Sequence, residues 1–229
     1  MRTNEQDNAL FEDSEKFKLA AADMYYLLSR EYPAKAALAL VGNRYDMVKK
    51  QQTALLGMVC SEKELQHRRE KELGVAQLQD QVLYIDGFNI LILLETLLAG
   101  GVVFKGLDGC YRDISSVHGT YKQVAQTEAV LLLVGRTLQS LGLQKVVWVF
   151  DSPVSNSGKL KTYCYELAAQ HDFPWEVILH QHPDQYLIEN KVWACSADAF
   201  VLNECTAWFN LGAYIIAQRE FHNCIVSAL

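Results

Sequence analysis

The chain has 229 residues, half of them hydrophobic, with 21 Lys and Arg against 27 Asp and Glu for a net charge of −6. That length holds one large domain, or a medium domain beside a small one, with enough apolar material for a real core. The acidic balance is unlike the basic character of most nucleic-acid binders, and no apolar run reaches the roughly 18 residues that cross a membrane.

The first residues are polar and mixed in charge, unlike a signal peptide. The cysteines at 60, 110, 164, 195, 205 and 224 form no CxxC pair. They read as buried, reduced thiols of a cytoplasmic protein rather than a disulfide framework or a zinc site.

Residues 9–75 read as all-helical. Phe17, Ala20, Ala21, Met24, Leu27 and Leu28 mark a helix ending near Arg30. Pro33 opens a second helix, from Ala34 to Val41, and Gly42 closes it. A third spans Asp46 to Met58. Arg44, Lys49 and Lys50 form one basic stretch, and Lys63, Arg68, Arg69 and Lys71 another. They read as solvated helix faces or as an RNA-docking module. The charged segment from Ser61 to Gln81 reads as a junction.

From residue 81 the period alternates. Strand 82–86 leads to helix 88–98, and Gly100-Gly101 breaks the chain. Segments 102–105 and 110–113 flank Asp108-Gly109, a β-hairpin pattern. A long helix over 120–141 follows. Then come strand 145–150, helix 158–170, strand 175–180, a short helix 184–190, strand 191–195, helix 197–210 and strand 213–217. Strands alternating with helices predict an α/β domain with a mainly parallel sheet. The expected division is a helical region over 1–78 and an α/β domain over 79–229.

The chemistry is carried by acids at strand ends. Val82-Leu83-Tyr84-Ile85 delivers Asp86, with Gly87 freeing the turn and Asn89 a helical turn later. Val146-Val147-Trp148-Val149-Phe150 ends in Asp151, and the segment after Val192 leads to Asp198. Asp184 opens the short helix before it. In a parallel sheet these ends lie on one side, where open α/β sheets bind ligands. Two like charges about 4 Å apart repel by roughly 4 kcal/mol at an effective dielectric near 20. A cluster therefore needs a counter-ion or raised pKa values. Mg²⁺ or Mn²⁺ suits such oxygen donors and would activate water against a phosphoryl group. Each Asp also has a plain reading as a helix N-cap or turn former.

Two further groups are candidate substrate contacts. Ser155 and Ser157, before helix 158–170, are placed to bind phosphate at a helix N-terminus. They read equally as a loop and cap. In the hairpin region, Arg112 and His118 are candidate phosphate contacts, with Asp113 beside them; ordinary surface ion pairs are the alternative. No Walker A loop, no GxGxxG after a strand and no GxSxG is present.

The order Tyr84-Ile85-Asp86-Gly87-Phe88-Asn89, Val149-Phe150-Asp151, Pro183-Asp184 and Ser196-Ala197-Asp198 resembles the PIN-like superfamily of metal-dependent nucleases, and its NYN branch in particular. The segments Tyr26-Leu27-Leu28-Ser29-Arg30-Glu31-Tyr32-Pro33 and Leu40-Val41-Gly42-Asn43-Arg44-Tyr45 resemble the DUF434 family. The resemblance implies a three-layer α/β/α sandwich and an endoribonuclease using Mg²⁺ or Mn²⁺. Asp86, Asp151, Asp184 and Asp198 would be metal ligands, directly or through water. Asp86, Asp151 and Asp198 would be the catalytic acids and Asn89 their support. The hairpin is an insertion relative to a minimal PIN domain, and few basic residues surround the acids. The expected partner is single-stranded RNA, with no membrane, and the helical region is the surface for a second copy or a protein partner. The alternative is a PIN-like module that binds RNA or protein without turnover.

Overall fold

Val82 to Asp86 alternates sides as a strand must. Leu83 and Ile85 are fully buried on one face, while Val82 and Tyr84 pack on the other. In the computed structural model, which describes residues 9–11, 14–114, 121, 124–219, 221 and 225–228, this run is β1 (Val82–Asp86), the central strand of a five-stranded sheet. It pairs in parallel with β4 (Lys145–Asp151) on one side and β6 (Trp193–Cys195) on the other. β5 (Trp175–His180) lies outside β4, and β7 (Ala207–Trp208) outside β6, all parallel. The spatial order is β5-β4-β1-β6-β7. The chain thus builds outward from β1 in one direction, then returns to build in the other. The reversal makes the carboxyl edge around β1 the topological switch point.

Helices cover both faces. On one, α5 (Gly87–Leu98), α6 (Thr127–Ser140), α7 (Ser157–His171) and α10 (Leu211–Ala217) bury Leu83, Ile85, Trp148 and Phe150. On the other, α8 (Pro183–Glu189) and α9 (Ala199–Glu204) cover Val147, Val149 and Ala194. The expected α/β architecture with a mainly parallel sheet is what forms.

The N-terminal helices are α1 (Ser14–Ser29), α2 (Ala34–Arg44), α3 (Lys49–Met58) and α4 (Glu62–Lys71). Their core joins Phe17, Met24, Val41 and Leu55 to Phe104 and Val226. The last two belong to a small sheet of β2 (Val103–Lys105), β3 (Tyr111–Arg112) and β8 (Ile225–Ser227), ordered β3-β2-β8. Phe104 faces the helical core and Val103 the main one, so β2 is shared between them.

Several expectations are corrected. The segment read as a junction contains α4, started by a capping box in which Ser61 Oγ accepts from Glu64 N and Glu64 accepts from Ser61 N. α2 runs past Gly42 to Arg44, because Gly42 packs against the Gln52 side chain instead of ending the helix. The helix expected from residue 120 begins at Thr127. Before it, Tyr121 turns inward to donate its hydroxyl to Glu95. The helix expected over 197–210 stops at Glu204, since the buried Trp208 is held in β7 by Leu73 N donating to its carbonyl. Residues 213–217 are helical, not a strand. Asn210 caps α10 by accepting from Ala213 N, and Leu211, Ile215 and Ile216 share its buried face.

Candidate functional site

Asp86 ends β1 and Asp151 ends β4. Asp184 sits in the first turn of α8, which follows β5, and Asp198 caps α9, which follows β6. Four consecutive strands of the sheet therefore each deliver one carboxylate at the same edge. All four line a single cleft of about 570 Å³, together with Asn89, Arg112 and Asp113.

Gly87 has a reason other than the turn freedom expected of it. A positive φ is confined, among the described glycines, to Gly100, Gly109 and Gly142. A Cβ on Gly87 would instead lie 2.3 Å from the buried Phe150 ring. Only glycine lets the start of α5 sit this close to β4.

The loop from Ser196 to Asp198 is pinned from four directions. Ser196 Oγ donates to Asp86 Oδ2 at 2.7 Å and accepts from Asp198 N at 3.0 Å. Ala197 N donates to Asn89 Oδ1 at 2.8 Å. Arg112 Nε donates to Ala197 O at 2.7 Å. Asp198 Oδ1 accepts from Phe200 N and Val201 N, so this residue is at once a helix cap and part of the cleft wall.

Electrostatics follow from crowding acids in a partly dry cleft. Burial pushes Asp86 up to about 8; Ser196 offsets this in part, and Asp184, Asp198 and Asp151 add to it. Asp184 is raised to about 6 by burial and by Asp198 and Asp151. Burial also raises Asp151. After burial, Asp86 and Asp184 are raised further by the neighbouring carboxylates as uncompensated negative charge.

Other expected residues lie elsewhere. Arg112 lines the cleft, but its guanidinium is spent on Asp108 through Nη1–Oδ1 at 2.9 Å and Nη2–Oδ2 at 2.7 Å, and on Ala197. Burial alone would raise Asp108, yet Arg112 and Arg68 hold it below its ordinary value. Ser155 is exposed and Ser157 buried, with Ser157 Oγ donating to Ser152 O; neither lines the cleft. His118 lies outside the described residues. Two components were not foreseen. Ser196 was part of a motif with no role attached, and Thr53, Leu56 and Gly57 of α3 form a wall of the cleft. The polar serine between two apolar strand residues and Asp198 was the available signal for the first; the basic stretch at Lys49 and Lys50 was the one signal beside the second.

The donor chemistry would suit a hard divalent cation: the acids offer oxygens only, and burial first, then crowding by one another, raises Asp86 and Asp184. Among the described residues, no three His, Cys, Asp or Glu side chains are gathered so as to hold an ion by themselves. An ion held here would have to keep part of its water shell and use one or two carboxylates, as Mg²⁺ commonly does. The five described cysteines are all free and buried, as expected, and Cys224 lies outside the described residues. No helix among the described residues is long and apolar enough to cross a membrane.

A family model described as a domain of unknown function (DUF5616) matches residues 75–214, and one described as a protein of unknown function (DUF434) matches residues 16–71. Among curated proteins, the chain is similar to the uncharacterized protein MJ0935 of Methanocaldococcus jannaschii, with 29% identity over 183 residues, 80% of this chain and 87% of that protein. No solved structure matches. The cleft with its four aspartates falls within the first of these matches and its α3 wall within the second, and the chain belongs to the DUF5616 family, with a DUF434 segment preceding that domain.

Proposed function

We propose that the chain is a divalent-metal-dependent endoribonuclease with a PIN-like catalytic domain. The observation that supports this most is the delivery of Asp86, Asp151, Asp184 and Asp198 into one cleft from four adjacent strands at the switch point. In this reading Asp86 and Asp151 hold Mg²⁺ or Mn²⁺, with Asp184 and Asp198 engaged directly or through water. The ion would lower the pKa of a water molecule and offset charge on the phosphodiester. Ser196 keeps one oxygen of Asp86 oriented, which leaves the other for the cleft. Asn89 and Arg112 fix the Ala197 peptide between them, so the position of Asp198 is set by its neighbours. Compensation by the ion would return the raised carboxylates to their ionised form near neutral pH.

A circular single-stranded RNA tests this reading. With Mn²⁺ the wild type opens the circle, and with EDTA it does not. A circle that stays closed under Mn²⁺ and Mg²⁺ would overturn endonucleolytic cleavage. A binding-only reading draws support from one observation, the lack of any three side chains gathered to hold an ion among the described residues. It predicts retention of the circle without scission.

A further inference from the structure

The cleft is hostile to its proposed substrate. Five of its lining residues are Asp86, Asp113, Asp151, Asp184 and Asp198, and the one basic side chain among the described lining residues is Arg112. Three donors of that guanidinium already serve Asp108 and Ala197. A polyanion held here needs cations from beyond the floor of the cleft.

One wall supplies a route. Thr53, Leu56 and Gly57 of α3 line the cleft, and Leu56 is 45% exposed although apolar. Lys49 lies four residues before Thr53 and seven before Leu56, which places it on the same helix face. It is exposed, about 10 Å along the axis from Leu56 at 1.5 Å per residue. This wall is fixed relative to the aspartates. Leu107 N donates to Met58 O at 2.8 Å, tying the end of α3 to the hairpin. Arg112 Cδ lies 3.6 Å from where a Cβ of Gly57 would stand. Arg68 of α4 donates to Asp108 Oδ2 at 2.6 Å.

We infer that the α3 face bearing Lys49, Thr53 and Leu56 is the binding tract for single-stranded nucleic acid beside the acidic cleft, with Lys49 on a backbone phosphate and Leu56 against a base. The location of the tract rests on the ribonuclease reading of the cleft. A single strand is required because a base must leave its stack to meet an apolar side chain. The N-terminal helices are then part of the substrate site, not a separate module.

The test uses the full chain and two readouts. Hydrolysis of bis(p-nitrophenyl) phosphate with Mn²⁺ reports the chemistry of the cleft alone. Fluorescence anisotropy of a short labelled single-stranded RNA, with Ca²⁺ in place of Mn²⁺, reports the tract. Lys49→Ala weakens RNA binding about fivefold and lowers the salt slope by about 0.7, one phosphate contact. Leu56→Ser weakens binding and leaves the slope unchanged. Lys35→Ala on α2, outside the cleft lining, makes the same charge change and does neither. If hydrolysis occurs but RNA is not bound, or Lys49→Ala matches Lys35→Ala, the tract is wrong while the phosphodiesterase reading stands. If hydrolysis is absent but RNA binding falls in Lys49→Ala, the tract stands and the catalytic reading fails. Absence of both overturns both.

Discussion

Arg112 grips Asp108 through two parallel bonds, and the same carboxylate receives Arg68 from α4 at 2.6 Å. Asp108 also accepts from Cys110 N, which closes the hairpin turn across the left-handed Gly109. One buried carboxylate thus joins the N-terminal helices, the hairpin and, through Arg112, the loop that carries Asp198. Asp108→Asn leaves two buried guanidinium groups short of their counter-charge. Breaking a buried pair this way costs about 3–5 kcal/mol. For a chain of this size Tm falls by about 6–20 °C, at about 2–4 °C per kcal/mol. Thermal unfolding by circular dichroism checks this, and an unchanged Tm would show that the brace carries no stability.

Asp86 gives the protein a pH dependence whose sign is set by its raised pKa. The native state binds this proton more tightly than the unfolded chain, so the associated stability is full below about pH 4 and is lost as pH rises through about 8. Asp184 acts in the same direction up to about pH 6. In EDTA, the wild type loses Tm between pH 5 and 8. Asp86→Asn flattens that decline and melts several degrees above wild type at pH 8, with the difference gone at pH 4. Adding Mn²⁺ at pH 8 raises the wild-type Tm and leaves the variant unmoved, as linkage to a native-state ligand requires. Scanning calorimetry across this range is the check.

Ser196 spans Asp86 and the backbone of Asp198 with one hydroxyl. Ser196→Ala removes both bonds while nearly keeping the side chain's size. The expected cost is about 1–3 kcal/mol of stability for the group left unsatisfied. Loss of an orienting partner lowers metal affinity or activity by about 10–100-fold. Mn²⁺ titration followed by electron paramagnetic resonance measures the affinity. A variant that binds as the wild type does would remove Ser196 from the site.

The sheet was legible where strands are long. Val82–Asp86, Lys145–Asp151 and Trp175–His180 each carry a mostly apolar run that stops at a polar or charged residue, so both the strand and its terminal group were readable. Two-residue β7 was not. Its place depends on Trp208, whose indole donates to Arg68 O, a contact across 140 residues. β8 likewise exists by pairing with β2, more than a hundred residues away. The run Ala213 to Ala217 is short and apolar, a pattern that fits strand and helix alike until a cap decides. The cap is Asn210. At the site, the four aspartates were readable as strand-end acids because the parallel sheet sets their side. Arg112 was readable as a cation near the cleft, with an ion pair inside the hairpin as the alternative that forms with Asp108; the second guanidinium on Asp108, from Arg68 on α4, is brought there only by tertiary packing. The α3 wall was marked in the sequence only by the basic stretch at Lys49 and Lys50, since its lining residues Thr53, Leu56 and Gly57 are unremarkable on a helix face.

The most direct measurement is the rate of cleavage of a labelled single-stranded RNA as Mn²⁺ is titrated, with Asp86→Asn and Asp151→Asn run beside the wild type. The account predicts cleavage that saturates with Mn²⁺, disappears in EDTA, and falls by at least about 100-fold in each variant while both remain folded. Cleavage of equal rate in wild type and variants, or none at any Mn²⁺ or Mg²⁺ concentration by the folded wild type, would contradict it.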